Sequence, residues 1–336
     1  MAHQPTRNYQ KFSGFLLEMK VNSIISDIRN NSLRDSTYYH IAIGMFDGLH
    51  LGHQRVINSC LHAREKHGGV AAVLSFNPHP RKFFPHQTLP KRIMPIECQA
   101  LHLLKMGIDR VIQQKFDQKI AEIESNDFLQ FLKQYIPGLQ TIHIGSNFCF
   151  GKGRLGNACS LQKQASKNQI EVTVKEPYYH QGSLVSSTRI REHLSKGQME
   201  TANDLLGYPY YAIGIPEPGK GIGKKIGFPT LNIGWEPENR PPLGVYKVQV
   251  NYLEKGHLKK PLLAIANYGL RPTLENSSQP KLEVHFQKKP TLESHRILKI
   301  QWLRFIRPER KFSSIDDLSE QIKKDIENVF PNWQPK

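Results

Sequence analysis

The chain has 336 residues, more than one ordinary domain needs and enough for two domains with full cores. Its hydrophobic fraction of 38%, with 9% aromatic residues, is typical of a globular protein and excludes a disordered one. Lysine and arginine total 46 against 29 acidic residues, and the resulting net charge of +17 favours anionic partners without separating nucleotides from nucleic acid.

The first residues lack the apolar core and cleavage site of a secretion signal, and apolar runs such as Val70 to Leu74 are too short to cross a bilayer. Residues 1–18 are predicted to form a disordered leader, with Met1 or Met19 as the true start. The cysteines show neither a CxxC pair nor even spacing, which argues against a disulfide framework and against a zinc site. The sequence therefore predicts a cytoplasmic protein with reduced thiols, namely Cys60, Cys98, Cys149 and Cys159.

From residue 40 to about residue 175, short apolar runs alternate with helical patterns. The predicted strands are 40–44, 70–76, 110–113, 141–145 and 170–174, and the predicted helices are 54–67, 97–106 and 127–135. Such alternation is typical of a parallel sheet flanked by helices. We therefore expect an α/β, Rossmann-like first domain.

Two short helices are predicted next, at 187–195 and 199–206, and after residue 208 the pattern changes. Turn residues become dense, and the predicted strands are 246–252, 262–267, 282–286 and 297–303, followed by one amphipathic helix at 315–329. Short alternating strands with frequent turns are typical of a small antiparallel β-barrel. The predicted domains are therefore 1–208 and 209–336.

One segment, Gly44 to His53, lies where a predicted strand turns into a helix. The first turn of a helix presents free N–H groups and a partial positive charge, which favour phosphate. Gly44 and Gly48 allow a ligand to approach the backbone, and His50 and His53 are spaced to face the same way. Two imidazole donors there suit the charge that builds on nucleotide phosphates. The alternative is that both histidines are ordinary surface residues, but their shared turn with the glycines favours phosphate binding.

A second group of polar residues lies in the barrel-like half. Thr230 and Asn232 are two residues apart, so on a strand they share a face, and their oxygens are suitable ligands for Mg²⁺. Glu283 is on the polar face of its predicted strand, where a carboxylate can take the proton of an attacking hydroxyl. The alternatives are ordinary turn residues and a solvent-facing glutamate. A preceding glycine-rich loop has amides that can wrap phosphates, its glycines being Gly219, Gly221 and Gly223.

The pattern GxFDGxHxGH at Gly44 to His53 resembles the signature of the bacterial bifunctional riboflavin kinase/FAD synthetases, within the wider HxGH nucleotidyltransferases. The likeness continues through Phe76 to Pro80, Gly145 to Gly151 and Ser186 to Arg191, and covers nearly the whole chain from about residue 41 onward. It implies that the first domain is an FMN adenylyltransferase, in which the FMN phosphate attacks the α-phosphorus of ATP to give FAD and pyrophosphate.

By this resemblance, His50 and His53 stabilise the ATP phosphates. The hydroxyls near residue 187 can cap a helix and bind phosphate at once. Leu184 stands where many members carry a basic residue, so either a phosphate contact is missing here or Arg189 or a nearby lysine replaces it. The implied ATP- and flavin-binding residues of this domain are Gly44, Phe46, Asp47, Gly48, Asn147, Ser187, Thr188 and Arg191.

The barrel-like half is similar to the riboflavin kinase module through GFPTxN at Gly227 to Asn232, Pro242 to Tyr246, Ala266 to Thr273 and LEVH at Leu282 to His285. The resemblance implies that this half phosphorylates riboflavin to FMN with ATP. Thr230 and Asn232 would serve the metal, expected to be Mg²⁺, and Glu283 would activate the ribityl 5′-hydroxyl. The glycine loop, Asn267 and Arg271 are the further implied ATP- or flavin-binding residues.

One departure leaves the kinase step open. The family's acidic, aromatic run after Phe286 is replaced here by Gln287 to His295, with two lysines. One alternative is therefore an adenylyltransferase with a degenerate kinase domain. Another is a basic nucleic-acid-binding protein. The sequence argues against this alternative, because the aromatic residues do not interleave with the basic ones as they do in RNA-binding motifs. The expected partners are ATP, riboflavin and FMN, with no nucleic acid and no membrane, and the sequence leaves the oligomeric state open.

Overall fold

The structure is a computed structural model that describes residues 23–34, 37–84, 88–217, 230–254, 257–258, 260–270, 280–286, 297–310 and 312–330. The chain divides into two compact units, which separate between Ser187 and Thr188. Each unit has its own sheet.

The first unit is an α/β domain. Its strands are β1 (Ile24–Ile25), β2 (Tyr39–Ile43), β3 (Val70–Asn77), β4 (Arg110–Lys115), β5 (Leu139–Gly145), β6 (Cys149–Phe150), β7 (Gly156–Asn157), β8 (Glu171–Lys175), β9 (Tyr179–His180) and β10 (Ser183–Leu184). Its helices are α1 (Leu51–His67), α2 (Ile96–Lys105), α3 (Gln118–Ala121), α4 (Phe128–Tyr135) and α5 (Ala158–Ser166). Six strands form one sheet in the order β1-β4-β3-β2-β5-β8, with every neighbouring pair parallel.

The expected α/β fold is confirmed. All five residues of β2 are buried, as is the central run of β3, because helices cover both faces of the sheet. The predicted strands and helices are present with boundaries shifted by a few residues; α1, for example, begins at Leu51 rather than at residue 54. Helix α5 was not predicted from the sequence, and neither was β1.

The strand order places a topological switch point at the carboxyl ends of two central strands. From β2 the chain proceeds to β3 and β4 on one side, whereas β5 and β8 lie on the other side. The direction of winding therefore reverses between β2 and β5. In sheets of this kind, ligands bind outside the carboxyl ends of the strands at that reversal.

The second unit is an antiparallel barrel with flanking helices. Its helices are α6 (Ser187–Ser195), α7 (Met199–Leu206) and α8 (Ile315–Val329); the first residue of α6, Ser187, still belongs to the first unit. Its strands are β11 (Tyr211–Gly214), β12 (Pro216–Glu217), β13 (Thr230–Ile233), β14 (Gly244–Glu254), β15 (His257–Leu258), β16 (Leu262–Gly269), β17 (Lys281–Phe286) and β18 (Leu298–Pro308). The order is β11-β18-β14-β16-β17-β13-β12, and β15 pairs with β14. Because Ile215 alone separates the end strands β11 and β12, the barrel is nearly closed, as expected from the sequence.

Aromatic side chains fill the interior of this barrel. Trp302, Tyr246 and Tyr268 are fully buried, and the Trp302 ring lies 4.6 Å from that of Tyr246 between centroids. Helix α7 is attached through Asn203, whose Nδ2 donates to the Trp302 carbonyl at 2.8 Å. The same side chain accepts the Tyr210 N–H through Oδ1 at 2.7 Å.

The C-terminal helix α8 packs on the outside of the barrel. Ile322 and Ile326 form an apolar cluster with Val245 of β14 and Ile265 of β16. Arg307 of β18 donates from Nη2 to Asp325 Oδ2 of the helix at 2.6 Å, and both side chains are largely shielded from solvent. The helix thus covers the outward face on which part of the predicted kinase site lies. Within the described residues, no helix has the length and apolar character needed to cross a membrane.

Candidate active sites

The backbone between β2 and α1 adopts conformations that side chains rarely allow. Gly48 has φ +79°, and Phe46 and Leu49 also have positive φ angles of 50° and 43°. A Cβ on Gly48 would lie 2.8 Å from Cδ1 of Ile93, closer than packed atoms approach. Position 48 therefore requires glycine for its backbone conformation and for the space around it.

This strained loop is held by three hydrogen bonds from elements distant in sequence. The Asp47 carboxylate accepts the Ile93 N–H at 3.0 Å, and the Asp47 carbonyl accepts the Ser187 hydroxyl at 2.9 Å. Gln99 Nε2 donates to the Met45 carbonyl at 2.6 Å. Asp47 is buried, so in the structure it fastens the loop, and the motif alone did not reveal this function.

The two histidines lie together at the start of α1. His50 is the N-cap residue, and its Nδ1 accepts the His53 N–H at 3.3 Å. The two rings are stacked, with centroids 3.6 Å apart and an interplanar angle of 17°, and the Phe46 ring meets His53 edge-on at 5.4 Å. Because Nδ1 of His50 accepts, a neutral ring carries its proton on Nε2, where it is a hydrogen-bond donor.

Asn147 lies in the turn that follows β5. Ala42 of β2 is opposite His143 of β5, so the segments that follow these two strands leave the same edge of the sheet. The Phe148 N–H donates to the Gly145 carbonyl at 3.0 Å, which closes the turn and leaves the Asn147 side chain exposed. The structure therefore places Asn147 and the Gly44–His53 segment at the reversal point described above.

Three further predicted residues lie at the beginning of α6. Ser187 is the first residue of the helix, and its hydroxyl donates to the carbonyl of Asp47. It is therefore connected to the segment Gly44 to His53, called the histidine loop below. Thr188 is exposed and Arg191 is half-buried in the following turn, and both belong to the second compact unit.

The barrel gathers its predicted residues by strand pairing. Asn232 of β13 is opposite Glu283 of β17, and Glu283 is also opposite Asn267 of β16. The three half-buried side chains form a row across adjacent strands, in which the Cβ atoms of neighbouring residues are about 5 Å apart. Leu282 and Val284, the chain neighbours of Glu283, are fully buried in the core on the opposite face. A carboxylate between two amides is thus placed on the outward face.

Thr230 lies two residues from Asn232 on β13 and is paired with His285 of β17. Its Oγ1 is 2.8 Å from His285 Nδ1. Burial lowers the pKa of His285, although the charges of Glu283 and Asp325 act in the opposite direction. A hydroxyl, an amide oxygen and a carboxylate within two residues along paired strands provide the hard oxygen donors that a divalent cation prefers. The described residues thus fit a metal that accompanies ATP.

Four predicted ligand-binding residues lie outside the described residues, and so does the altered segment after Phe286. The four are Gly219, Gly221, Gly223 and Arg271.

Comparison with known proteins matches both halves of the chain. A family model described as FAD synthetase matches residues 33–189, and one described as riboflavin kinase matches residues 206–330. The bifunctional riboflavin kinase/FMN adenylyltransferase of Haemophilus influenzae is 34% identical over 289 residues, covering 86% of this chain and 92% of that protein. The Bacillus subtilis protein of the same name is 34% identical over 295 residues, covering 86% and 91%.

The chain belongs to the bifunctional riboflavin kinase/FMN adenylyltransferase family.

A solved structure shares the fold of this family member. It is named as a macrolide-efflux protein from Streptococcus pneumoniae, with a TM-score of 0.78 and 26% sequence identity. The match covers 93% of this chain and 99% of that one.

The two family models divide the predicted site residues between them. The FAD synthetase model contains the histidine loop, Asn147 and Ser187, whereas the riboflavin kinase model contains the row around Glu283. Residues 190–205 fall between the models, and the compact units separate after Ser187. The domain boundary at residue 208 stays a prediction.

Proposed function

We propose that the chain catalyses two consecutive reactions of flavin cofactor synthesis. In the barrel, riboflavin is phosphorylated by ATP to give FMN and ADP. In the α/β unit, FMN is adenylylated by a second ATP to give FAD and pyrophosphate. The observation that supports this most strongly is the stacked pair His50 and His53 at the opening of α1, at the reversal point of a parallel sheet.

In the adenylyl transfer, an oxygen of the FMN phosphate attacks the α-phosphorus of ATP. The bond to the bridging oxygen breaks, and pyrophosphate leaves. Negative charge grows on the phosphate oxygens, where the opening amides of α1 and the Nε2–H donor of His50 stabilise it. The fixed backbone of the histidine loop sets these donors in place before the reaction, so catalysis consists of positioning and charge stabilisation.

In the kinase step, Glu283 takes the proton of the ribityl 5′-hydroxyl, and the oxygen attacks the γ-phosphorus of ATP. ADP leaves when the bond to its β-phosphate oxygen breaks. Asn232 and Asn267, on either side of Glu283, are placed to orient the substrates. Thr230 and Asn232 would hold Mg²⁺, which supplies neutralisation of phosphate charge.

The test is to incubate purified protein with riboflavin, ATP and Mg²⁺ and to separate the flavins by chromatography. We expect FMN to form first and FAD to follow, and EDTA to stop both steps until Mg²⁺ is restored. FAD formed only from supplied FMN would support the alternative with a degenerate kinase domain. The absence of any flavin product would overturn the proposal.

The same preparation tests the nucleic-acid alternative. A basic nucleic-acid-binding protein would bind many DNA or RNA sequences with an affinity that falls steeply as salt increases. We propose instead that ATP, riboflavin and FMN are the partners and that the protein acts in the cytoplasm. Fractionation of cells followed by the flavin assay would check the location.

A further inference from the structure

Outside the row that contains Glu283, a second polar pair links the same two strands. Thr230 of β13 and His285 of β17 are opposite each other, with Oγ1 2.8 Å from Nδ1. Two residues along the strands, on the same face, Asn232 is opposite Glu283. His285 therefore bonds to one of the two predicted metal-binding side chains and lies beside the strand position of the predicted base.

The imidazole is itself fixed in place. On its other side, Ile265 of β16 is opposite His285, and Ile265 is buried beneath α8 in contact with Ile322 and Ile326. A half-buried ring between the Thr230 hydroxyl on one strand and a tightly packed isoleucine on the other has few rotamers open to it, so it can hold a hydrogen-bond partner in one orientation.

The chemistry of a hydroxyl ligand makes this contact significant. A threonine hydroxyl has one hydrogen and two lone pairs, and it must turn its hydrogen away from a cation to present a lone pair. A neutral imidazole accepts one hydrogen bond. When Nδ1 of His285 accepts the Thr230 hydrogen, that hydrogen is held away and the oxygen is left to bind a cation.

We infer that His285 is a positioning residue of the kinase site, which accepts the Thr230 hydroxyl proton as a hydrogen bond and so directs Thr230 Oγ1 toward the divalent cation that accompanies ATP. The inference rests on the proposed kinase function. No proton is transferred and no covalent bond changes. Residues that orient metal ligands in this way commonly contribute about 10- to 100-fold to metal affinity.

Two nearly isosteric substitutions separate this role from simple packing. Asparagine can place its carbonyl oxygen close to the position of Nδ1, whereas leucine offers no acceptor. Next to the buried Ile265, a packing role would favour leucine over an amide. The positioning role predicts the opposite order for cation affinity.

The experiment measures Mn²⁺ binding to the full-length protein by electron paramagnetic resonance, with FMN and ADP present, together with the KM for Mg²⁺ in FMN formation. We expect His285→Leu to raise the Mn²⁺ Kd and this KM about tenfold or more, and His285→Asn to change them by less than about threefold. In a Thr230→Val background, His285→Leu should cause no further loss, since both changes remove the same interaction.

Gln249→Leu is the matched control, because Gln249 and Gln301 form another cross-strand polar pair of the barrel, at 3.3 Å, and this variant should retain the wild-type Kd. Equal Kd values for His285→Leu and His285→Asn, or fully additive losses with Thr230→Val, would overturn the inference. So would the absence of Mn²⁺ binding by the wild-type protein. If the wild-type protein makes no FMN, the proposed kinase function fails, and the Mn²⁺ titrations still decide the role of His285.

Discussion

The two candidate sites are built in different ways. The histidine loop is one continuous stretch of chain whose geometry is set mainly by its backbone conformation. It has positive φ angles, the start of a helix and a glycine without room for a Cβ. The barrel site is assembled from β13, β16 and β17, and regular strands carry its side chains. We expect the first site to be sensitive to changes of backbone conformation and the second to changes of side-chain chemistry.

The largest effect is expected in the barrel. Glu283→Gln removes the base while keeping the shape of the side chain, so FMN formation should fall by about 10²- to 10⁴-fold. FAD formation from supplied FMN should stay close to wild type, as chromatography of the flavins would show. Glu320→Gln, which removes an exposed carboxylate from α8, is the control and should leave both rates unchanged. Residual FMN formation near the wild-type rate would refute the assigned role of Glu283.

In the α/β unit, His53→Ala removes one of the two stacked imidazoles, and FAD formation should fall by about 10²- to 10³-fold because a donor to the phosphates is lost. FMN formation should persist, since the barrel carries its own site. His62→Ala, an exposed histidine on the same helix, provides the comparison. Equal loss of both activities in a folded His53 variant would contradict the separation of the two sites.

Backbone strain gives a third test, measured as the free energy of unfolding in urea. Gly48→Ala and Gly68→Ala both place a side chain at positive φ, which costs about 1–3 kcal/mol in each case. Only the first also meets Ile93, whereas the second enters open space, so Gly48→Ala should cost about 1–3 kcal/mol more.

Ile93→Val removes the Cδ1 atom that a Cβ on Gly48 would meet. We therefore expect it to recover part of the stability lost in Gly48→Ala. If the two glycine variants were equally stable, the close packing against Ile93 would not be what requires glycine.

The smallest expected effect is on the stability of the fold at acid pH. Burial alone would raise the pKa of Asp27, but hydrogen bonds from Arg29 and Gln114 outweigh it and lower that pKa to about 2. The folded pKa lies below the ordinary value of 3.8, so this carboxylate stabilises the fold above about pH 4. The contribution, about 2 kcal/mol, is lost as the pH falls toward 2.

Asp27→Asn should therefore flatten the decline in stability of the α/β unit between pH 4 and pH 2, followed by circular dichroism during urea unfolding. Asp127→Asn, at a helix start where the carboxylate makes no capping bond, should keep the wild-type slope. A wild-type slope in Asp27→Asn would show that other carboxylates cause the acid sensitivity.

The contrast between the sites also explains what the sequence could predict. The alternation of strands and helices predicted the fold class. A phosphate-binding site at Gly44 to His53 could be predicted because all its residues lie in ten consecutive positions. The row of Asn232, Glu283 and Asn267 depends on strand register, which local patterns do not define. The motif indicated their roles only through family resemblance, and these roles stay predictions.

Other contacts gave no local signal at all. The bond from Gln99 to the Met45 carbonyl joins residues 54 positions apart, and nothing in either segment indicates the pairing. Strand β1 has two residues, too few for a periodic pattern. Helix α5 begins with a capping box between Asn157 and Ser160, a signal present in the sequence that could have revealed it.

Gly214 bears on how the barrel closes. It ends β11, and Ile215 alone links it to β12, so a single residue joins the two outermost strands of the sheet. The Gly234 N–H, directly after β13, donates to the Ile215 carbonyl at 3.4 Å. A Cβ on Gly214 would collide with the Ile233 side chain and lie 2.7 Å from the Gly234 carbonyl oxygen. Any larger residue would therefore displace the end of β13 from this link. The closure of the barrel thus depends on a glycine that belongs to neither predicted site.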